Sequence, residues 1–168
     1  MEYRRAFPSD TEQITELVQN TIGTVYPRYY SKEAVDFFCS LHCKERILDD
    51  VKQGSVWVLL ENNKIIGTGS CENNHITRVY VLPQYQRRGY GSYIMQKLEE
   101  VIAQNYKKAI LDASLPACRM YEKRGYRTTE HRQWPLENDA VLVYEVMEKS
   151  LYLNFGEANY DGKFLFLK

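Results

Sequence analysis

The sequence predicts one α/β domain with a mixed, mostly antiparallel central sheet flanked by helices. Three observations carry this. The chain has 168 residues, which suits one domain with a real hydrophobic core. Its apolar residues switch between helical spacing and short strand-like runs, in the order strand, two helices, three strands, helix, strand, helix, two strands. In its middle, an apolar strand runs into Pro83, then a basic loop, then two glycines that open a helix.

Glu2 to Phe7 forms a short first strand. Ser9-Asp10-Thr11-Glu12 has the Ser-x-x-Glu form of a capping box, and Ile14, Leu17, Val18 and Ile22 follow at helical spacing. Pro27 interrupts. Ser31 starts a second helix that carries Ala34, Val35, Phe38 and Leu41 and continues to about Gln53, where Gly54 ends it. Ser55 to Glu61 is a buried strand by its apolar run. Asn62-Asn63 makes a two-residue hairpin turn, because Asn tolerates positive φ. Lys64 to Cys71 returns, Asn73-Asn74 turns again, and His75 to Leu82 completes the meander.

The helix from Gly89 to about Gln104 buries Ile94, Leu98, Val101 and Ile102. Lys108 to Asp112 is a strand, and Pro116 to Arg124 a helix with proline in its first turn. Tyr126 to Gln133 and Ala140 to Lys149 are the last antiparallel pair. Residues 1–149 make the domain. The tail 150–168 is apolar, with a hairpin turn at Tyr160-Asp161-Gly162-Lys163. It either packs back on the domain or covers a partner subunit, which leaves a homodimer open.

Composition excludes several classes. At 44% hydrophobic and 26% charged the chain is neither disordered nor membranous. No apolar run approaches the ~20 residues of a bilayer span, and no secretory leader is visible. Lys+Arg and Asp+Glu balance at 22 each, which argues against nucleic acid as a partner. The four scattered cysteines read as free thiols of a cytoplasmic protein. Cys39 and Cys43 would share a helix face, but no second pair completes a structural zinc site, so no metal is expected.

The segment Val79-Tyr80-Val81-Leu82-Pro83-Gln84-Tyr85-Gln86-Arg87-Arg88-Gly89-Tyr90-Gly91-Ser92 presents backbone N–H groups and a helix N-terminus to one small volume. That suits a polyphosphate. A Rossmann fingerprint lacks its third glycine here, and a Walker loop lacks Gly-Lys-Ser/Thr. Thirty residues on stands Ser114-Leu115-Pro116-Ala117-Cys118-Arg119-Met120-Tyr121-Glu122-Lys123-Arg124-Gly125-Tyr126. The two segments, in this order and spacing, resemble the GNAT family of acetyl-CoA-dependent N-acetyltransferases over about residues 2–149.

The resemblance implies a sheet splayed at the acetyl-CoA site. It assigns Gln86, Arg87, Arg88, Gly89, Tyr90, Gly91 and Ser92 to the pyrophosphate loop, and the main chain of Val79, Tyr80 and Val81 to the pantetheine arm. Ser114, where the family most often has Asn, and Ala117 join the cofactor site. Tyr121 matches the tyrosine that protonates the departing thiolate. Cys118 lies on the same helix, where a filler role suits it better than a covalent one. The implied activity is transfer of acetyl to a primary amine by direct attack in a ternary complex. The alternatives are an acyl-CoA sensor without catalysis and an interaction protein on the same fold.

An alkyl ammonium must lose a proton before it attacks. In the family a carboxylate on the strand before the loop often serves. His75 stands at the corresponding position here, with Glu72 as rival. Simple alternation puts His75, Thr77, Val79 and Val81 on one face. The distance to the amine favours a water relay. The acceptor, a small-molecule or peptide amine, should meet the aromatic segment with Tyr26, Tyr29 and Tyr30, with Asp36 and Phe37 close behind and His131 and Trp134 on the far side.

Overall fold

The computed structural model describes residues 1–151. Among these residues seven strands form one sheet: β1 (Glu2–Arg5), β2 (Val56–Glu61), β3 (Lys64–Glu72), β4 (His75–Val81), β5 (Lys108–Ala113), β6 (Arg127–Pro135) and β7 (Val141–Ser150). Their order is β1-β2-β3-β4-β5-β7-β6. Among these strands β4 and β5 run parallel, and the other neighbouring pairs are antiparallel. The two-residue turns have the predicted chemistry: Asn62, Asn63 and Asn73 all take positive φ. The tail's predicted hairpin at Tyr160–Lys163 lies outside the described residues.

Among the described residues, five α-helices cover the sheet: α1 (Thr11–Val25), α2 (Lys32–Leu41), α3 (Lys44–Lys52), α4 (Tyr90–Ala103) and α5 (Leu115–Lys123). One core packs Ile14, Val18, Ile22, Ala34 and Ile47 of α1–α3 on one face of the sheet. The other packs Ile94, Met95, Leu98 and Ile102 of α4, with Tyr121 of α5, on the opposite face. Gly67 and Gly69 let α4 approach closely: a Cβ on Gly69 would stand 2.5 Å from Ile94 Cγ2.

Three local expectations are corrected. The helix read as continuous from Ser31 to Gln53 is two helices, broken at His42-Cys43. His42 has left helical geometry (φ −113, ψ 43), and Cys43 starts α3 in an extended conformation. Gln19 Nε2 donates to the carbonyls of Cys39 and His42, both 2.9 Å away, so α1 satisfies the groups that the break exposes. Cys39 and Cys43 therefore do not share a helix face. Nor does the Ser9–Glu12 capping box form. Pro8–Asp10 is a 3-10 turn, and the Asp10 carboxylate accepts from Phe7 N (2.7 Å) and Arg4 (2.7 and 3.1 Å).

The third correction concerns β4. In its register with β3, Ser70 pairs with Arg78 and Cys71 with Ile76, so Thr77 is an extra residue. This is a β-bulge, and it breaks the alternation. Ile76, Val79 and Val81 all face α4, while Tyr80 faces α1. His75, one residue before Ile76, thus faces away from Val79 and Val81 rather than with them.

A cleft where two strands part

The bulge sits where the sheet opens. β4 and β5 pair only at His75–Ile110 and Ile76–Leu111, and from Thr77 onward they diverge. Leu82 N donates to Ile66 O at 3.0 Å, so the even-numbered positions Leu82 and Tyr80 turn their main chain toward β3. Val79 and Val81 therefore turn theirs toward the gap. Gln86 Nε2 bonds Val81 O at 2.9 Å and ties the following loop to the strand's end. The opening widens into a cleft of about 1380 Å³.

At the end of β4 the chain makes a 3-10 turn (Pro83–Tyr85) and reaches α4 through Arg87 and Gly89, both at positive φ (61° and 87°). Gly89 precedes the first helical residue and no side chain caps it. The first intrahelical bond comes from Tyr93 N to Gly89 O, which leaves the N–H groups of Tyr90, Gly91 and Ser92 without helical acceptors. The macrodipole adds positive potential at the same point. The side chains divide: Arg87, Gly91 and Ser92 line the cleft. Arg88 lies over the Tyr85 ring at 5.6 Å, and Tyr90 donates to Glu61 Oε1 at 2.6 Å, and neither side chain lines the cleft.

Across the cleft stands α5. Tyr121 is 7% exposed, and burial, then the neighbouring Tyr26 and Cys118, push its phenol well above the ordinary range. Its hydroxyl has no partner among the described residues and is not sealed off; Tyr121 lines the cleft. Ala117, one turn earlier, lines it too. Ser114 does not cap α5 with its side chain. Its Oγ lies 3.1 Å from Tyr26 OH, which lies 3.2 Å from Tyr80 OH. Tyr30 OH takes the capping role instead, accepting from Leu115 N at 2.7 Å and donating to Val143 O at 3.3 Å. Tyr30 is therefore a strut off the cleft wall, not a wall of the acceptor pocket. Cys118 Sγ lies 3.4 Å from Ser114 O, and burial raises its thiol, which opposes a nucleophilic role.

Tyr26 and Tyr29 do line the cleft, with Phe37 and Trp134. Asp36 and His131 do not: Asp36 pairs with Lys32 on an exposed face, and His131 Nδ1 lies 3.3 Å from Glu145. The acids on this side are Asp49 and Asp50 of α3. Glu72, the rival base, lies at a separate small pocket beside Trp57 and Cys71. His75 is on the cleft wall, its Nε2 3.6 Å from Asp112 Oδ2. It stands six residues, about 20 Å of strand, from Val81.

Sequence reasoning missed a buried cluster beside the acceptor side. Arg78 is 5% exposed. It donates from Nη2 to Asp50 Oδ2 at 2.9 Å and from Nε to His42 Nδ1 at 3.4 Å. Burial, with Arg78 and Arg46 nearby, lowers the His42 pKa to about 3. His42 is thus a neutral imidazole with its proton on Nε2. Its three members come from α3, β4 and the α2–α3 break, and no sequence spacing links them. Among the described residues, no three His, Cys, Asp or Glu side chains converge as a metal site, and no helix is long and apolar enough to cross a membrane.

Comparison with known proteins finds that the family model described as acetyltransferase (GNAT) domain matches residues 27–145, well over half of the chain. YafP of Escherichia coli (strain K12), named an uncharacterized N-acetyltransferase, is 22% identical over 133 residues, covering 79% of this chain and 85% of YafP. Among solved structures, a protein from Rhodopseudomonas palustris titled GCN5-related N-acetyltransferase: aminotransferase, class-II superposes with a TM-score of 0.81 at 24% identity, covering 89% of this chain and 95% of that one. The yncA protein of Salmonella typhimurium, solved with its cofactor acetyl-CoA, gives 0.70 at 16% identity, covering 90% and 94%. These two likenesses show the fold.

Proposed function

The chain belongs to the GNAT acetyltransferase family, and from that premise we propose that it transfers acetyl from acetyl-CoA to a primary amine by direct attack within a ternary complex. One observation carries the reading. The parting of β4 from β5 leaves the main chain of Val79 and the N–H of Val81 open on a path that leads directly to the uncapped first turn of α4. A ligand with an amide-bearing arm and a pyrophosphate fits that path: the arm adds to β4 as a strand would, and the phosphates meet N–H groups of the Gly89–Ser92 turn.

In this reading the thioester carbonyl sits at Val81 N–H, which polarises it as charge develops on oxygen. The neutral amine enters from the side of Tyr29 and Phe37 and attacks the carbonyl carbon. As the C–S bond breaks, Tyr121 gives its phenolic proton to the thiolate and regains one through water, since burial disfavours the phenolate. The amine's proton leaves through water. His75, with Asp112 beside it, is a terminus for such a relay on the cleft wall, too far along β4 for direct contact.

The test is calorimetric titration with acetyl-CoA, followed by thiol release with an amine panel. Micromolar binding that is lost in Arg88→Glu/Gly89→Asp is expected. No binding by the folded wild type sinks the reading. Binding without turnover on any amine would leave a non-catalytic acyl-CoA-binding domain.

A further inference from the structure

Beyond the first turn of α4 the cleft carries charges that acetyl transfer leaves unused. Along α5, Pro116, Arg119, Met120 and Lys123 fall at helical spacing and line the cleft with one face. Met120 seats that face on α4, its Sδ 3.4 Å from where a Cβ on Gly91 would stand. Arg124 fixes the helix's end by donating from Nη1 to Ser92 O at 3.0 Å. Arg119 and Lys123 therefore flank the opening of α4.

The two are uncommitted. Arg124 and Lys149, the next cations along the wall, both pair with Glu99, each at 2.9 or 2.8 Å. Arg119 and Lys123 have no ion pair among the described residues. The acid on that helix, Glu122, is off the cleft wall. Two exposed cations beyond a main-chain phosphate cradle call for a further phosphate. Coenzyme A has one: besides the pyrophosphate it carries a phosphomonoester on the ribose 3′ oxygen, with close to two negative charges at neutral pH.

We propose that Arg119 and Lys123 form a subsite for the 3′-phosphate of coenzyme A, so that the protein selects CoA thioesters over their dephospho-CoA counterparts. This rests on the acetyl-CoA reading above. Arg119 supplies a planar fork for two phosphate oxygens, and Lys123 a point charge. Both are exposed, so the selection is moderate and salt-sensitive.

The experiment is calorimetric titration with acetyl-CoA and with acetyl-dephospho-CoA, on the wild type and on Arg119→Gln/Lys123→Gln, at low and high salt. Both positions are exposed, and an unchanged thermal midpoint checks the fold of the variant. The wild type should bind acetyl-CoA about tenfold more tightly than the dephospho compound, a gap that shrinks with salt. The variant should lose that gap by weakening acetyl-CoA alone, with dephospho binding within about twofold of wild type. Equal wild-type affinities, or a variant that weakens both ligands alike, would overturn the subsite while leaving the acetyl-CoA site intact. Binding of neither ligand would remove both readings.

Discussion

Tyr121 joins a buried phenol, its pKa raised by that burial, to a hydroxyl that opens on the cleft. Tyr121→Phe should lower turnover about 100-fold while the acetyl-CoA dissociation constant stays put. Unchanged turnover would take the acid role away from it. The family resemblance made this residue visible, because Tyr121 falls where the family's second cofactor motif has its tyrosine, one turn after Ala117. His42 was invisible, since its role depends on Arg78 and Asp50, which only the folded sheet brings near. Its pH dependence follows from the depressed folded pKa of about 3 against about 6.5 unfolded. Across that interval the unfolded chain binds the extra proton, so the contribution to stability is whole above about pH 6.5 and drains away as pH falls toward 3. The groups around it are Arg78, Arg46, Asp50 and the Tyr80 ring. Urea unfolding at about pH 7 and pH 5, where ordinary carboxylates are still ionised, should show a loss in the wild type that His42→Gln reduces. An equal loss in both would contradict a neutral buried imidazole. A separate check concerns the relay: if His75→Ala leaves the pH–rate profile unaltered, His75 takes no part in it.

At the scale of the element, what was legible was what local chemistry decides. Asn-Asn turns, Gly54 and Pro83 each mark a boundary that the backbone obeys. The α2–α3 break carries no such mark. His42-Cys43 is neither Gly nor Pro, and the apolar spacing runs through it, so the kink answers to Gln19 from a distant helix. The same holds for α5, whose N-terminus borrows the Tyr30 hydroxyl when its own Ser114 turns to Tyr26. The packing of α4 on β3 gives a sharp test. Gly69→Ala would set a Cβ 2.5 Å from Ile94 Cγ2 and 3.0 Å from Leu98 Cδ1. The two buried side chains must shift, and chemical denaturation should record a loss of about 1–3 kcal/mol. No loss would mean that α4 rides more loosely on the sheet than these contacts imply.

For the whole molecule, the sheet is one body on two cores, joined through the β4–β5 parallel pair at two positions. A ligand seated in the gap touches both halves, so it should stabilise the fold as a unit. At 100 times its dissociation constant acetyl-CoA adds about 2.7 kcal/mol, a rise in melting temperature of about 5–10 °C for a domain of this size. A rise confined to one of two separate transitions would instead mean that the halves unfold independently. Apart from the α2–α3 break, the overall order of strands and helices was readable from pattern, because most elements are long enough to declare their period. The opening was expected from the family resemblance alone; no periodicity signals it, since it depends on the bulged residue at position 77. Thr77 is one residue more than the register needs, although its hydroxyl lies 2.7 Å from that of the buried Ser70. Delete it, and Ile76 is followed by Arg78 with Ser70 and Cys71 already in consecutive register, every neighbouring side chain still on its present side of the sheet. Without its kink, β4 could keep company with β5 beyond Ile76. The shortened chain should still fold, less the bond from Thr77 to Ser70, and bind no acetyl-CoA, which makes vacancy the chief thing that this single residue is there to secure.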